Sequence, residues 1–365
     1  MKVAFVTDND INSGIWKQNY ALINWLKEKW VDIDLISLYI PSRYKWEPKW
    51  KYIKGNIHNT YYLSLLYWVI YAFPKELPKL LREGKYTHVI LGHQFLGYLY
   101  SSLSKIDIKI SIIVHDLCLL YKKEKNIWDI LYTKLLMRNL GKFKNLVFIS
   151  EFTKNDYMKY YGSLENKNYA IIYQWIDQKK INNKIKEHLV EKYNLKDKII
   201  FMNVWSEDPR KNIITYLKIA KYYKENKDLL FVRVWKPSKE SNDYINIHEL
   251  KNVLYLSWLS DEELFALYNL SKATISTSLF EWYWRQIFEW YLYGNYVITS
   301  NVSDVKKIFN WDNSVYIIDD PYSAEKYCDI INQILSEWEC LNKMKEIPDI
   351  TIETENYYKF LNSIV

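Results

Sequence analysis

The sequence predicts an α/β fold of two doubly wound parallel sheets in series, and three observations carry that prediction. Short runs of β-branched and aromatic residues recur along the whole chain, apolar at nearly every position where half-buried strands would alternate. Longer helical patterns separate these runs, so successive strands are joined by crossovers and not by hairpin turns. The chain has 365 residues, too many for one ordinary core and suited to two of about 170 residues each.

In the first half the expected strands are Val3–Thr7, Ile33–Leu38, His88–Leu91, Ile110–Val114 and Leu146–Ile149. In the second they are Ala170–Tyr173, Ile199–Val204, Leu230–Val234, Val253–Leu256, Ala273–Ser276, Tyr296–Thr299 and Val315–Ile318. Helix signals fall between them. Ser260 precedes Asp261-Glu262-Glu263, an N-cap followed by acids that favour the helix dipole. Ser150 opens a helix over Glu151 to Tyr161, which Gly162 stops. A closing helix, about Glu353–Val365, follows the break at Pro348. The apolar stretch Tyr61–Phe73 is shorter than the ~20 residues needed to span a bilayer and reads as a buried helix. The expected division is residues 1–173, residues 174–349, and a closing helix over 350–365 that packs back on the first domain. Open α/β sheets bind ligands beyond the carboxyl ends of their strands, so the site is expected in a cleft faced by both sheets.

Composition narrows the class. Hydrophobic residues make up 49% and charged residues 25%, the balance of a globular chain and not of a disordered one. Cys118, Cys328 and Cys340 have neither disulfide-framework nor zinc-site spacing, and Met1–Val6 reads as a strand with no signal-peptide pattern. A cytoplasmic location is expected. Residues 1–170 hold 25 Lys/Arg against 15 Asp/Glu (+10), whereas the remainder holds 25 against 28 (−3). A basic first half favours an anionic partner, such as the inner membrane face touched peripherally or a phosphorylated acceptor. Nucleic acid is not expected, because only Arg43, Arg82 and Arg138 precede residue 170 and no Arg-rich base-reading helix is visible.

Four segments carry chemistry. In Ser278–Glu289 a strand runs into a helix, with Glu281 in the loop and Glu289 inside the helix, seven residues between them. The first carboxylate can reach sugar hydroxyls, and the second can accept hydrogen bonds from a ribose diol. In Asn203–Asn212 the adjacent cations Arg210 and Lys211 enter a helix after a strand, which suits a diphosphate; an exposed basic helix start is the plainer alternative. His115 ends a first-half strand, with Asp116 placed to orient its ring. The loop after the first strand contains Gly14, Ile15 and Trp16. Asp8-Asn9-Asp10 fits a bare metal-binding pattern but reads as a turn, so no metal is assigned.

Ser278–Glu289 and its continuation Tyr291–Ser300 resemble the E-x7-E region of family-4 retaining glycosyltransferases of the GT-B fold. Leu256–Leu264 and Phe148–Lys154 resemble the same family, in the family's order, and the similarity is densest from 145 to 320. The resemblance implies two Rossmann-like domains facing a cleft and transfer of a sugar from a UDP- or GDP-sugar to a glycan or lipid-linked acceptor. It implies no cofactor and no metal, with the nucleotide sugar as substrate. Lys211 would hold the donor diphosphate. Ser206 stands where the family has an Arg, so Arg210 is the substitute. Glu281 would contact the transferred sugar and Glu289 the ribose, with Tyr283, Trp284 and Arg285 in the donor loop. His115 would support the sugar, and Gly14, Ile15 and Trp16 would lie on the acceptor side. No residue reads as an enzymic nucleophile, which favours front-side substitution. An impaired GT-B homologue that only binds, and a nucleic-acid glucosyltransferase, remain alternatives.

The chain has 16 Trp and only eight Gly, reversing ordinary usage. Trp16, Trp30, Trp175, Trp205, Trp235, Trp282, Trp284, Trp290 and Trp311 fall where the family or local turn chemistry calls for Gly. Trp25, Trp46, Trp50, Trp68, Trp128, Trp258 and Trp338 fall where an aromatic is unremarkable. Gly serves φ > 0 and close backbone approach, and indole serves neither. The pattern fits UGA codons that one genetic code reads as Gly and another as Trp. The gene is therefore expected to carry UGA at the nine positions; UGG codons at Trp282 and Trp284 would overturn this.

Overall fold

The computed structural model describes residues 2–7, 14–29, 31–39, 51–54, 67–117, 127–172, 181–204, 206–281, 285–309, 312–336 and 350–363. It divides into two compact units, Met1–Trp175 with Asp349–Val365, and Ile176–Pro348.

The first unit is built on seven parallel strands: β1 (Lys2–Thr7), β2 (Asp32–Tyr39), β3 (Lys51–Lys54), β4 (His88–Leu91), β5 (Lys109–Val114), β6 (Asn145–Phe148) and β7 (Asn168–Ile171). Their order across the sheet is β3-β2-β1-β4-β5-β6-β7. The second unit has six: β8 (Ile199–Asn203), β9 (Leu229–Val234), β10 (Val253–Leu256), β11 (Ala273–Ser276), β12 (Tyr296–Ser300) and β13 (Val315–Ile318), in the order β10-β9-β8-β11-β12-β13. Each chain segment thus starts mid-sheet, winds outward on one side, then returns and winds outward on the other. That reversal creates a crevice at the carboxyl ends of β1 and β4, and another at those of β8 and β11.

The apolar runs explain which strands are central. Val3–Val6 and Val89–Leu91 are all but sealed from solvent, as are Thr274–Ser276 and Val297–Thr299. Strands buried on both faces need no alternation. The edge strand β3 was not legible, because Lys-Tyr-Ile-Lys has a cation at each end and no apolar run. The run expected as Ala170–Tyr173, before the domain boundary, spans Asn168–Ile171 instead and pairs with β6 as the last strand of the first sheet.

Helix caps follow their residues. The Ser150 side chain accepts the Thr153 N–H at 3.0 Å, and Gly162 ends the helix Glu151–Tyr161 at φ 85°. Ser260 and Glu263 form a reciprocal capping box for the helix Asp261–Leu270. The closing helix Ile350–Ser363 packs against the helix Gly14–Glu28 and against β7. A π-helical turn, Trp68–Ala72, leads into the helix Phe73–Glu83. Here the expectation of a buried helix needs correction. Val69, Ala72 and Phe73 are buried, but Tyr67, Ile70 and Tyr71 are exposed on the other face. Residues 61–66 lie outside the described residues. No helix among the described residues is long and apolar enough to cross a membrane.

The tryptophans also require correction. Trp258, expected to be an unremarkable aromatic, has φ 64° and is 84% exposed, two residues after the end of β10. Left-handed backbone costs an L-residue with a bulky side chain roughly 1–2 kcal/mol, which glycine avoids. Trp235 and Trp290 do not have positive φ, and Trp290 is fully buried inside the helix Arg285–Leu292, so backbone conformation demands no glycine at either. Trp16 lies within a helix. Trp30, Trp175, Trp205, Trp282, Trp284 and Trp311 lie outside the described residues. Trp258→Gly is expected to stabilise the chain by up to about 1 kcal/mol, since relief of strain outweighs glycine's extra unfolded-state entropy. The measurement is the urea midpoint at constant m-value, and an unchanged or lower midpoint contradicts the strain.

Candidate functional site

At the carboxyl end of β8 the chain makes a tight cationic turn. Asp208 caps the short 3-10 turn Pro209–Lys211, its carboxylate accepting the Arg210 N–H at 3.0 Å. Proline at the first position presets φ, and Asn212 follows in the left-handed region at φ 51°, a conformation Asn tolerates. The helix Ile213–Tyr222 then begins. These local choices place Arg210 and Lys211 side by side at the mouth of the sheet.

The loop after β11 closes on that turn through backbone and side chain together. The Leu279 N–H donates to the Arg210 carbonyl at 2.7 Å. The Thr277 hydroxyl donates to the carbonyls of Lys211 at 3.0 Å and Asn212 at 2.9 Å. Glu281 completes the contact. One carboxylate oxygen accepts the Lys211 ammonium, and the other accepts the Arg210 guanidinium at 3.0 Å. Arg210 also donates to the Phe280 carbonyl at 3.3 Å.

Lys211 is 2% exposed and Glu281 3%, so the pair is removed from water. Burial pulls the Lys211 ammonium down to about 7, against the Glu281 carboxylate, which raises it. Arg210 remains partly exposed, about a quarter of its side chain. The arrangement offers one solvent-reachable guanidinium, one buried ammonium and one carboxylate within hydrogen-bond reach of both. Such a set can bind a diphosphate through charge-assisted bonds and can turn a carboxylate toward hydroxyls beside it.

The remaining expected donor residues are placed differently. Glu289 lies inside the helix Arg285–Leu292, nearly buried, and accepts the Tyr268 hydroxyl at 3.4 Å. No hydrogen bond joins it to the Arg210–Lys211–Glu281 cluster among the described residues. Ser206 sits part-exposed in the loop after β8. Tyr283 and Trp284 lie outside the described residues, and Arg285 opens its helix with its side chain outside them. Thr277 was missed by the sequence reading. A polar residue directly after an apolar strand was its only signal.

In the first unit the described polar contacts at the corresponding strand ends centre on His115. His115 follows β5 and is 5% exposed. Its backbone N–H donates to the Gln94 side chain at 3.0 Å, and its Nε2 donates to the Gly92 carbonyl at 2.9 Å. Asn19, on the helix Gly14–Glu28, donates to the same carbonyl at 3.2 Å. The Gly92 carbonyl therefore orients the ring. Burial drives the His115 imidazole down to about 3, against the Gly92 hydrogen bond, so it is neutral at physiological pH. Gly92 itself permits no side chain. A Cβ there would come within 2.7 Å of the Asn19 amide, 2.8 Å of the Phe5 ring and 3.1 Å of the Val6 carbonyl. Gly92 and Gln94 went unread, although a Gly directly after a strand was a visible cue. Gly14 starts its helix, Ile15 is half-buried, and the Trp16 side chain lies outside the described residues. Among the described residues no three His, Cys, Asp or Glu side chains gather to hold a metal ion.

Residues 12–180 match the family model for Glycosyltransferase Family 4, and residues 185–347 match that for Glycosyl transferases group 1. The chain belongs to the family-4 glycosyltransferases. Its fold is GT-B. This glycosyltransferase superposes on HepE of Anabaena, solved in complex with UDP and glucose, at a TM-score of 0.73 with 13% identity over 100% of both chains. It is similar to the lipopolysaccharide outer core galactosyltransferase WaaB at 0.70, with 14% identity over 100% of both chains. It is also similar to sucrose-phosphate synthase of Thermosynechococcus elongatus at 0.68, with 14% identity over 100% of this chain and 96% of that one. No curated protein matches the glycosyltransferase at the level of sequence.

The buried ammonium has a measurable signature. Lys211 is held near 7 when folded, well below the ordinary 10.5 it regains on unfolding. Between these values the unfolded chain binds the extra proton, so stability rises with pH. The enzyme's unfolding free energy minus that of Lys211→Met is expected to rise from pH 7 to pH 9, by at most about 1.4 kcal/mol per pH unit. Denaturant titrations at several pH values read this directly, and a pH-independent difference contradicts the assignment.

Proposed function

We propose that this glycosyltransferase moves a sugar from a nucleoside diphosphate sugar to an acceptor hydroxyl, with retention at the anomeric carbon and without a divalent metal. The observation that carries the reading is the convergence of Arg210, Lys211 and Glu281 at the β8–β11 switch point. In the proposed step the bond from the anomeric carbon to the diphosphate oxygen breaks as the bond to the acceptor oxygen forms. The acceptor proton passes to the departing phosphate oxygen. Arg210 and Lys211 neutralise the charge that builds on that diphosphate, the task a metal ion performs in other designs. Glu281 lies within reach of the cations and is the group placed to bind the transferred sugar's hydroxyls.

The neutral imidazole of His115 fits a positioning role better than acid–base work, because a group held near 3 does not exchange protons at physiological pH. The UDP and glucose named for HepE support a UDP-sugar as the first donor to try, with GDP-sugars second. A glycan or lipid-linked acceptor is favoured, with peripheral contact at a membrane face. The exposed Tyr67, Ile70 and Tyr71, leading into Lys75 and Lys79, support that contact as an aromatic and cationic stripe.

The test is a panel of UDP- and GDP-sugars assayed in EDTA. Turnover is expected with at least one donor, and Lys211→Met is expected to lower kcat/KM by about 100-fold or more. Donor binding without turnover identifies the chain as an impaired homologue and overturns the catalytic reading. Turnover that vanishes in EDTA overturns metal independence.

A further inference from the structure

Arg233 is the one fully buried guanidinium among the described residues, and the chemistry at Arg210 and Lys211 does not use it. It lies on β9, in register with Asn203 of β8 on one side and Tyr255 of β10 on the other. One guanidinium nitrogen donates to the Asn203 side-chain oxygen, and the Asn203 amide in turn donates to the Ile275 carbonyl of β11 at 2.6 Å. The other nitrogen donates to Glu207 at 2.9 Å. The guanidinium also sits 5.6 Å from the Tyr255 ring centroid. A polar row therefore runs across β11, β8, β9 and β10 at their carboxyl ends.

Glu207 caps this row from the loop above. Besides Arg233, its carboxylate accepts the Ser241 hydroxyl at 2.6 Å, the Ser238 hydroxyl at 3.0 Å and the Tyr255 hydroxyl at 3.3 Å. Ser238 is also the N-cap of the helix Lys239–His248. Although burial opposes ionisation, these donors and the Arg233 charge hold the Glu207 carboxyl below its ordinary range. Only Asp208 separates Glu207 from the Pro209–Lys211 turn, and Asp208 is that turn's cap. The loop bearing the two cations is thus pinned at its start to β9 and β10, and at its end to the β11 loop through Thr277 and Leu279.

A buried ion pair is a poor way to add stability, since apolar side chains of similar volume often do as well. What it supplies is a directional constraint on the segment it holds. We propose that Arg233 and Glu207 are positioning residues for the donor diphosphate, fixing the loop after β8 so that Arg210 and Lys211 meet the phosphates together. The proposal rests on the reading of Arg210 and Lys211 as the diphosphate site. It adds a second layer to that site, contributed by residues that touch no donor atom.

The test compares UDP with uridine, or GDP with guanosine where GDP binds the native chain more tightly, by calorimetry on the full chain. The variants are Arg233→Lys, which keeps the charge and loses the fork, and the nearly isosteric Glu207→Gln. Each is expected to weaken nucleoside diphosphate binding by about tenfold while leaving nucleoside binding unchanged. The double variant should be no weaker than either single one. In a Lys211→Met background, Arg233→Lys should have a smaller further effect, because Arg210 is then the one cation left for it to position.

Native-like diphosphate affinity in folded Arg233→Lys and Glu207→Gln overturns the proposal. So does an equal loss for nucleoside and diphosphate, which signals general loosening of the unit. Where Arg233→Lys fails to fold, Glu207→Gln decides by the same two criteria. A native affinity that Lys211→Met does not change removes the diphosphate reading itself, an outcome distinct from a failure confined to Arg233 and Glu207.

Discussion

Glu281 reaches across from the loop after β11 and divides its carboxylate between Lys211 and Arg210, which stand 70 and 71 residues earlier in the chain. The organisation of the second unit's working edge depends on that shared contact. An ammonium as buried as Lys211 needs an anion beside it, and a carboxylate as buried as Glu281 needs donors. Neither residue could occupy its place without the other. The backbone bonds from Leu279 and Thr277 hold the loops at the separation the ion pair requires, so charge and backbone geometry support the same arrangement. The doubly wound order makes this encounter possible by setting β8 beside β11 in the sheet.

The two units repeat one topology and furnish it with different chemistry. At the β8–β11 switch a charged, paired cluster is partly open at Arg210. After β5 the buried group is the His115 imidazole, its ring held by the Gly92 carbonyl and its backbone by Gln94. Low-dielectric surroundings strengthen both arrangements. Burial pulls both groups down, the imidazole to about 3 and the ammonium to about 7, and the imidazole alone ends far below neutrality because it starts from a lower ordinary value.

The tryptophans show how far local rules extend. The resemblance pointed to nine positions where glycine is usual, yet the one tryptophan in the left-handed region among the described residues is Trp258, outside that set. Its neighbours Leu256-Ser257 and Leu259-Ser260 give no turn signal of the Asn-Gly or Pro-Gly kind, so nothing local marked it. Trp290, one of the nine, lies buried inside the helix Arg285–Leu292 without positive φ, so its backbone neither requires nor excludes glycine. Position in a motif and backbone conformation are separate constraints, and only the first is written in the residues.

Most of the fold was legible from the chain itself. Both-face burial leaves an apolar run, caps leave Ser and Gly, and crossover spacing leaves parallel strands as the consistent outcome; these are short-range physical requirements that residues satisfy one by one. The site was legible in part: Arg210, Lys211 and Glu281 stand out as a cation pair after one strand and a carboxylate after another. Their meeting was not legible, nor was the separate placement of Glu289, nor the Asn203–Arg233–Glu207 row. An arginine in Phe231-Val232-Arg233-Val234 looks like an interruption of a strand until Asn203 and Tyr255 lie in register beside it. Sequence by itself determined the elements and the family, because those rest on local burial, capping and motif order. Strand order and register were decided by the packed sheets, and they alone determine which distant charges share a low-dielectric space and must therefore pair.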